Sequence, residues 1–272
     1  MAEGALTRPL TAAFGLACAA ALAAAPAERG DQPVPRTDRN SQIAHTQLVE
    51  KASRGRIDIY FEGDSITRRW GASDVQYRAF LLNWRRNFFG WNAADFGWGG
   101  DTVQNILWRV ENGELDDVHP KVIVLLGGTN NLGAAPRQSV DDAVAEEVTS
   151  GIGAIIAIMR RKAPEAVIVL MGITPRRDRA GGATLMPTVA AINNRLATSA
   201  DGRTVRFLNI NQKLADANGV LVAGVTVDGL HLSEAGYQIW ADALKPVFTE
   251  ILGPPVAIDL APPPTGDPSA QP

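Results

Sequence analysis

Four short blocks of the 272-residue chain hold the residue types that acyl transfer requires: Gly63-Asp64-Ser65, Gly99-Gly100-Asp101, Gly128-Thr129-Asn130-Asn131 and Asp228-Gly229-Leu230-His231. A serine hydroxyl attacks a carbonyl only when a base takes its proton, and imidazole does this near neutral pH. Of three histidines, His231 alone has an acid placed to orient it. Asp228, three residues earlier on the same loop, can fix the ring tautomer and stabilise the imidazolium. The oxyanion of a tetrahedral intermediate needs converging donors. The backbone N–H groups of Ser65 and Gly100 and the side-chain amide of Asn130 are suitable. Ser65, Asp228 and His231 are therefore the candidate catalytic residues, with Ser65, Gly100 and Asn130 as the oxyanion hole. Singly, each block reads equally well as a helix cap or a turn; the four in order do not. Trp98, an aromatic between two glycines beside an oxyanion donor, is a candidate substrate-binding wall of the acyl pocket.

These residues must be delivered by regular elements. Apolar residues at 57, 59 and 61 alternate with polar or amphipathic ones, the period of a strand. The strand breaks at Gly63, where a residue without a Cβ permits a sharp reversal, and hands Ser65 to the start of a helix whose dipole favours negative charge. A helix follows over 75–89 and a short strand over 92–96. A second helix covers 102–110, with Val103, Ile106, Leu107 and Val110 on one face. The unbroken apolar runs 122–126 and 167–171 predict parallel strands covered on both faces. Between them Val140, Val144, Val148, Ile152, Ile155 and Met159 recur every three or four residues, predicting a helix over 140–162 capped by Ser139. A helix over 187–199, a strand over 205–210 and a last helix from Ser233 complete the series. Pro246 should kink or break that last helix. Five strands alternating with helices predict a three-layer α/β/α domain on a parallel sheet.

At this point the blocks resemble those of the SGNH (GDSL) hydrolases, named for the Ser, Gly, Asn and His found here as Ser65, Gly100, Asn130 and His231. Within that superfamily, residues 96–115, with 120–124 and 128–131, resemble the platelet-activating factor acetylhydrolase Ib catalytic-subunit-like family. The resemblance covers roughly residues 55–252. It implies a flavodoxin-like sheet of five parallel strands, ester hydrolysis without a cofactor or metal, a structural role for Asp64, and a homodimer. Asp95 stands where the family usually has Asn, and Glu62 where a small or apolar residue is common.

The chain ends carry other signals. Arg8, an Ala-rich apolar run over 10–25 and Pro26-Ala27 describe a signal peptide over 1–27, and so a secreted or periplasmic protein. Cys18, the sole cysteine, would leave with it, so neither disulfides nor thiol chemistry are expected. Residues 28–42 read as a linker, 43–253 as the hydrolase domain, and the Pro-rich 254–272 as a disordered tail. A net charge of −3 gives no footprint for nucleic acid. No Gly-x-Ser-x-Gly elbow and no His-Glu-x-x-His occur, which argues against an α/β-hydrolase and a zinc hydrolase. The charged stretch 176–182 reads as a solvated loop. The reading is an exported serine esterase, favouring acetyl or other short acyl groups, with carbohydrate O-acetyl esters among its substrates. A lysophospholipase or thioesterase, or a binding module on the same fold, is the alternative.

Overall fold

Five strands, β1 (Ile59–Gly63), β2 (Ala93–Asp95), β3 (Val122–Leu126), β4 (Val167–Met171) and β5 (Val205–Leu208), form one parallel sheet in the order β2-β1-β3-β4-β5. The structure is a computed structural model that describes residues 1, 29–133, 140–177 and 185–270. Residues 2–27 of the expected signal segment, Ser139, and 178–182 of the charged loop lie outside the described residues.

The helices are α1 (Arg39–Ala52), α2 (Ser65–Gly71), α3 (Arg78–Phe88), α4 (Val103–Arg109), α5 (Asp142–Lys162), α6 (Met186–Ser199), α7 (Asn211–Leu214) and α8 (Glu234–Leu252). The period of two in β1 divides the core. Tyr60 joins Ile123, Leu125 and Ile168 against α4, α5 and α6, with Ile106, Ile152 and Ile192 among the contacts. Ile59 and Phe61 face the other way with Val124 and Val169. There they meet aromatic side chains of α2, α3 and α8: Phe61 and Trp84 have ring centres 4.6 Å apart, and Trp70 stacks on Tyr237 at 4.9 Å. The expected three-layer α/β/α architecture is therefore present.

The strand order reverses between β1 and β3, since β2 lies outside β1 and β3 to β5 extend the other way. Open α/β sheets leave a crevice at such a switch point, beyond the strands' carboxyl ends. The blocks beginning at Gly63 and Gly128 follow β1 and β3 at that crevice, and the block at Gly99 follows β2.

Local expectations need four corrections. First, α5 is capped by Asp141, whose side chain accepts from Val144 N–H at 3.1 Å, so the helix starts two residues later than its apolar period suggested. Second, α8 runs unbroken through Pro246. The carbonyl that Pro246 cannot bond belongs to Asp242, on the exposed face, where water can serve it. Third, Gly63 does not have the left-handed backbone of Gly100 or Gly128. It is required because a Cβ there would stand 2.3 Å from the Leu126 carbonyl oxygen and 2.4 Å from Thr67 Oγ1.

The chain ends are the fourth. Of the expected linker 28–42, the described residues 29–42 are packed on the domain: Val34 N–H donates to Gln104 O at 3.1 Å, Asn105 Nδ2 to Val34 O at 2.9 Å, and Asp38 caps α1. Nor is the tail loose within the described residues. Val256 N–H donates to Gly90 O, Arg56 N–H to Leu260 O, and Ser73 N–H to Thr265 O, at 2.9–3.1 Å. Asp259 accepts from Gly90 N–H at 2.7 Å, and Asn92 from Leu260 N–H at 2.7 Å. The tail runs beside edge strand β2, and Pro262, Pro263 and Pro264 enclose, with Trp84, Phe88 and Ala93, a cavity of about 440 Å³. Composition suggested disorder because the tail is polar and prolyl. Proline also restricts the unfolded chain, which lowers the entropic cost of laying it down. Truncation after Gly253 should lower stability by about 2 kcal/mol, the net worth of a few backbone hydrogen bonds, or roughly 4–8 °C in Tm. Thermal melting of the two chain lengths checks this; a disordered tail would leave Tm unchanged.

Candidate active site

Ser65 opens α2, behind Asp64, whose carboxylate caps the helix by accepting from Ile66 N–H at 2.8 Å. Burial raises the Asp64 carboxyl to about 7, with the bond from Ile66 N–H opposing it. Asp64 thus occupies the structural position expected of it.

His231 reaches Ser65 from 166 residues away, with Nε2 3.0 Å from Ser65 Oγ. Its loop is built locally. Asp228 Oδ1 accepts from the N–H groups of Leu230 and His231 at 3.0 and 2.8 Å, and Oδ2 meets His231 Nδ1 at 2.7 Å. Gly229 takes φ +85°, which closes the turn, and Val227 N–H donates to His231 O at 2.9 Å across its base. Ser233 then caps α8, and Tyr237 on that helix donates its hydroxyl to Ile66 O at 2.7 Å. That bond ties the histidine loop to the helix that carries the serine.

The electrostatics keep the imidazole neutral. Burial lowers the His231 pKa from 6.5, Arg69 and Arg176 act in the same direction, and the bond to Asp228 opposes them. For Asp228, burial alone would raise the carboxyl, but hydrogen bonds from His231 and Leu230 outweigh it and hold the group below 3.8. A neutral base facing a hydroxyl, with an ionised acid behind it, is the arrangement general-base catalysis needs.

The oxyanion candidates are tied to one another. Trp98 N–H donates to Gly63 O at 3.0 Å, and a Cβ on Gly99 would lie 3.9 Å from that of Ser65. Asn130 Nδ2 donates to Asp101 O at 2.8 Å, linking the third block to the second. Gly100 needs its left-handed φ of +81°. Among the described residues, the N–H groups of Ser65 and Gly100 have no protein acceptor, so both can serve a ligand oxygen.

Trp98 is placed differently from the expectation. Its side chain is buried against α1, Nε1 donates to Ser41 Oγ at 2.8 Å, and the Arg68 guanidinium lies 4.8 Å from the ring centre. It borders a cavity with Pro35, His45 and Trp108 that none of the catalytic candidates lines. The indole N–H needs a partner once buried, and Ser41 on the unforeseen helix α1 supplies it.

Other residues were not foreseen at all. Arg109 on α4 is buried and bonds Glu62 at 2.6 Å, Asp101 at 2.7 Å and Glu114, while Nη1 and Nη2 donate to Phe96 O and Gly63 O. Arg36 adds bonds to Gly99 O and Asp101 Oδ1 at 3.1 and 3.2 Å. Burial drives the Glu62 carboxyl upward against the pull of Arg109. Glu62 inside a buried strand was itself a signal, because an ionisable group there must find a partner. Arg176, read as part of a solvated loop, donates to Thr129 O at 2.9 Å, beside Asn130. Among the described residues, no cluster of three or more His, Cys, Asp or Glu could hold a metal ion.

Two measurements test this geometry. The acid limb of kcat/KM should have its midpoint below 6.5, since activity needs neutral His231 and is lost as pH falls through its lowered pKa. Arg69→Gln removes a cation that disfavours the imidazolium and should move that midpoint upward. Arg109→Met leaves carboxylates buried without their cation and should cost about 3–5 kcal/mol in urea unfolding.

A family model described as "GDSL-like Lipase/Acylhydrolase family" matches residues 61–239. Platelet-activating factor acetylhydrolase IB subunit alpha2 of Rattus norvegicus is 32% identical over 209 residues, covering 76% of this chain and 83% of that protein. Subunit alpha1 of Homo sapiens is 30% identical over 209 residues, covering 76% and 82%. A crystal structure of a GDSL-like lipase from Bacteroides thetaiotaomicron has the same fold, with a TM-score of 0.59, 19% identity, and coverage of 77% of this chain and 98% of that one. The matched segment holds all four blocks and most of the described fold, and the chain is an ester-hydrolysing enzyme of the GDSL-like lipase/acylhydrolase family.

Proposed function

We propose that the protein is an exported serine esterase that removes acetyl and other short acyl groups, with O-acetylated carbohydrate as a substrate. The observation that carries the catalytic reading is the continuous relay from Ser65 Oγ through His231 Nε2, at 3.0 Å, and His231 Nδ1 to Asp228 Oδ2, at 2.7 Å. Ser65 Oγ attacks the ester carbonyl carbon as its proton passes to His231 Nε2. Asp228 stabilises the imidazolium, and the N–H groups of Ser65 and Gly100 with the Asn130 amide receive the oxyanion. Collapse of the intermediate returns the proton from His231 to the departing alcohol oxygen. Water then gives a proton to His231 and attacks the acyl-serine, and the second collapse restores Ser65 and releases the carboxylic acid.

The acetyl preference is supported by relatives named as acetylhydrolases. Export rests on the pattern of residues 1–27, and the carbohydrate substrate on the exported setting. A homodimer is proposed on the family resemblance alone. Hydrolysis of p-nitrophenyl acetate through octanoate by the mature chain should be fastest on acetate. Ser65→Ala should lower it by about 10³-fold or more. A maximum at longer chains would replace the acetylesterase with a lysophospholipase or thioesterase. Equal rates for wild type and variant would remove Ser65 as nucleophile.

A further inference from the structure

Two guanidinium groups beside the catalytic loop differ from those of Arg36, Arg68 and Arg109. Arg36, Arg68 and Arg109 each hydrogen-bond a carboxylate: Arg36 that of Asp101, Arg68 that of Asp74 at 2.9 Å, and Arg109 those of Glu62, Asp101 and Glu114. Arg69 and Arg177 do not. Arg69 lies one helical turn past Ser65, its side chain is only 23% exposed, and its nearest acid is Asp228, with Nη1 to Oδ2 at 3.7 Å. That is an ion-pair distance, too long for a hydrogen bond. The Tyr77 ring centre lies 5.3 Å from its guanidinium carbon. Arg177 lies over Gly229, in the middle of the Asp228–His231 turn: a Cβ on that glycine would be 3.0 Å from Arg177 Nε and 3.4 Å from Nη2. Its backbone N–H donates to Gly229 O at 2.7 Å, which holds it there. Among the described residues, neither guanidinium donates a hydrogen bond to the protein.

The position of these groups selects one half of the ester. His231 must return its proton to the leaving alcohol, so the alcohol departs on the side of the Asp228–His231 loop, while the acyl oxygen faces Gly100 and Asn130. Arg69 and Arg177 flank that loop. Asp228 is the one acid among the described residues in contact with either, and it is already engaged by its own loop: its two oxygens accept from Leu230 N–H, His231 N–H and His231 Nδ1. We propose that Arg69 and Arg177 form an anion-binding rim that selects esters whose alcohol carries a carboxylate or phosphate close to the ester oxygen. A guanidinium presents a planar fork of N–H donors that matches either group. This inference rests on the serine-esterase reading and adds to it the charge of the substrate.

The test compares 3-acetoxypropanoate, its neutral amide, 2-acetoxyethyl phosphate and acetylcholine, with p-nitrophenyl acetate as a reference for turnover. At low salt, kcat/KM for at least one anionic ester should exceed that of the amide by about 10-fold or more, mainly through KM, with acetylcholine lowest. Preference for the carboxylate or for the phosphate identifies which anion the rim takes, and both support it. In about 1 M salt, where the screening length is about 3 Å, the advantage should shrink to within about 2-fold. The double variant Arg69→Gln/Arg177→Gln, shown folded by its thermal melt, should lose the preference, and Arg69→Lys/Arg177→Lys should retain part of it. Equal turnover of anion and amide at low salt, or an undiminished preference in the Gln variant, would overturn the rim while leaving the esterase reading intact. If p-nitrophenyl acetate and all four esters are left unhydrolysed, the esterase reading fails, and the rim with it.

Discussion

The buried guanidinium of Arg109 is the interaction on which the geometry of the site depends. It sits where the end of β1, the loop after β2 and the end of α4 meet, and it bonds one carboxylate from each of three segments: Glu62, Asp101 and Glu114. Its remaining donors go to Gly63 O and Phe96 O. Taking four ionisable groups out of water is unfavourable unless every one is closely paired, so the arrangement tolerates little displacement. Gly63 precedes the Asp64–Ser65 pair, and Asp101 follows Gly100. The cation therefore sets the serine and the oxyanion loop at a fixed spacing from below, without lying among the reacting atoms. Burial alone would lower the Arg109 pKa; the three carboxylates outweigh that and push it upward.

Above this anchor the chemistry is assembled from one local and one distant constraint. The local one is the Asp228–His231 turn, where a single carboxylate organises two backbone N–H groups and the imidazole. The distant one is Tyr237 on α8, whose hydroxyl holds the Ile66 carbonyl and so joins the turn to α2. Arg69 and Arg176 add positive potential around the imidazole and, after burial, keep it in its basic form. Arg69, which also belongs to the proposed anion rim, links the tuning of the base to the charge of the alcohol that leaves beside it.

The ends of the described fold reinforce this centre. The N-terminal strap brings Arg36 onto Gly99 O and Asp101, and α1 presents Ser41 to the indole of Trp98. The C-terminal segment binds the loops at Arg56, Ser73 and Gly90, alongside the edge strand β2. An uncovered edge strand is a template for unwanted pairing, and a prolyl segment beside it is a poor partner for further strands. Within the described residues, the regions that composition marks as linker and tail thus become part of the folded unit, because several of their donors and carbonyls find partners in it.

Much of this was legible in the chain. The strands at 122–126 and 167–171, the alternation at Ile59–Phe61, the helix from Ser233 and the four blocks with Ser65, Gly100, Asn130, Asp228 and His231 were readable because periodicity, capping and turn chemistry are local properties. The Asp228–His231 pairing was readable for the same reason, since three residues of one turn carry it. Other features were settled only by tertiary structure: Arg109 and its three carboxylates, the true surroundings of Trp98, the room denied to a side chain at Gly63, and the placement of Arg69 and Arg177. Each depends on which segments meet, and burial and charge pairing are properties of that meeting, not of any one segment. By itself the sequence determined the parts of an ester hydrolase and their order; packing decided how far apart they stand, how strongly the base is held neutral, and which charges face the leaving alcohol.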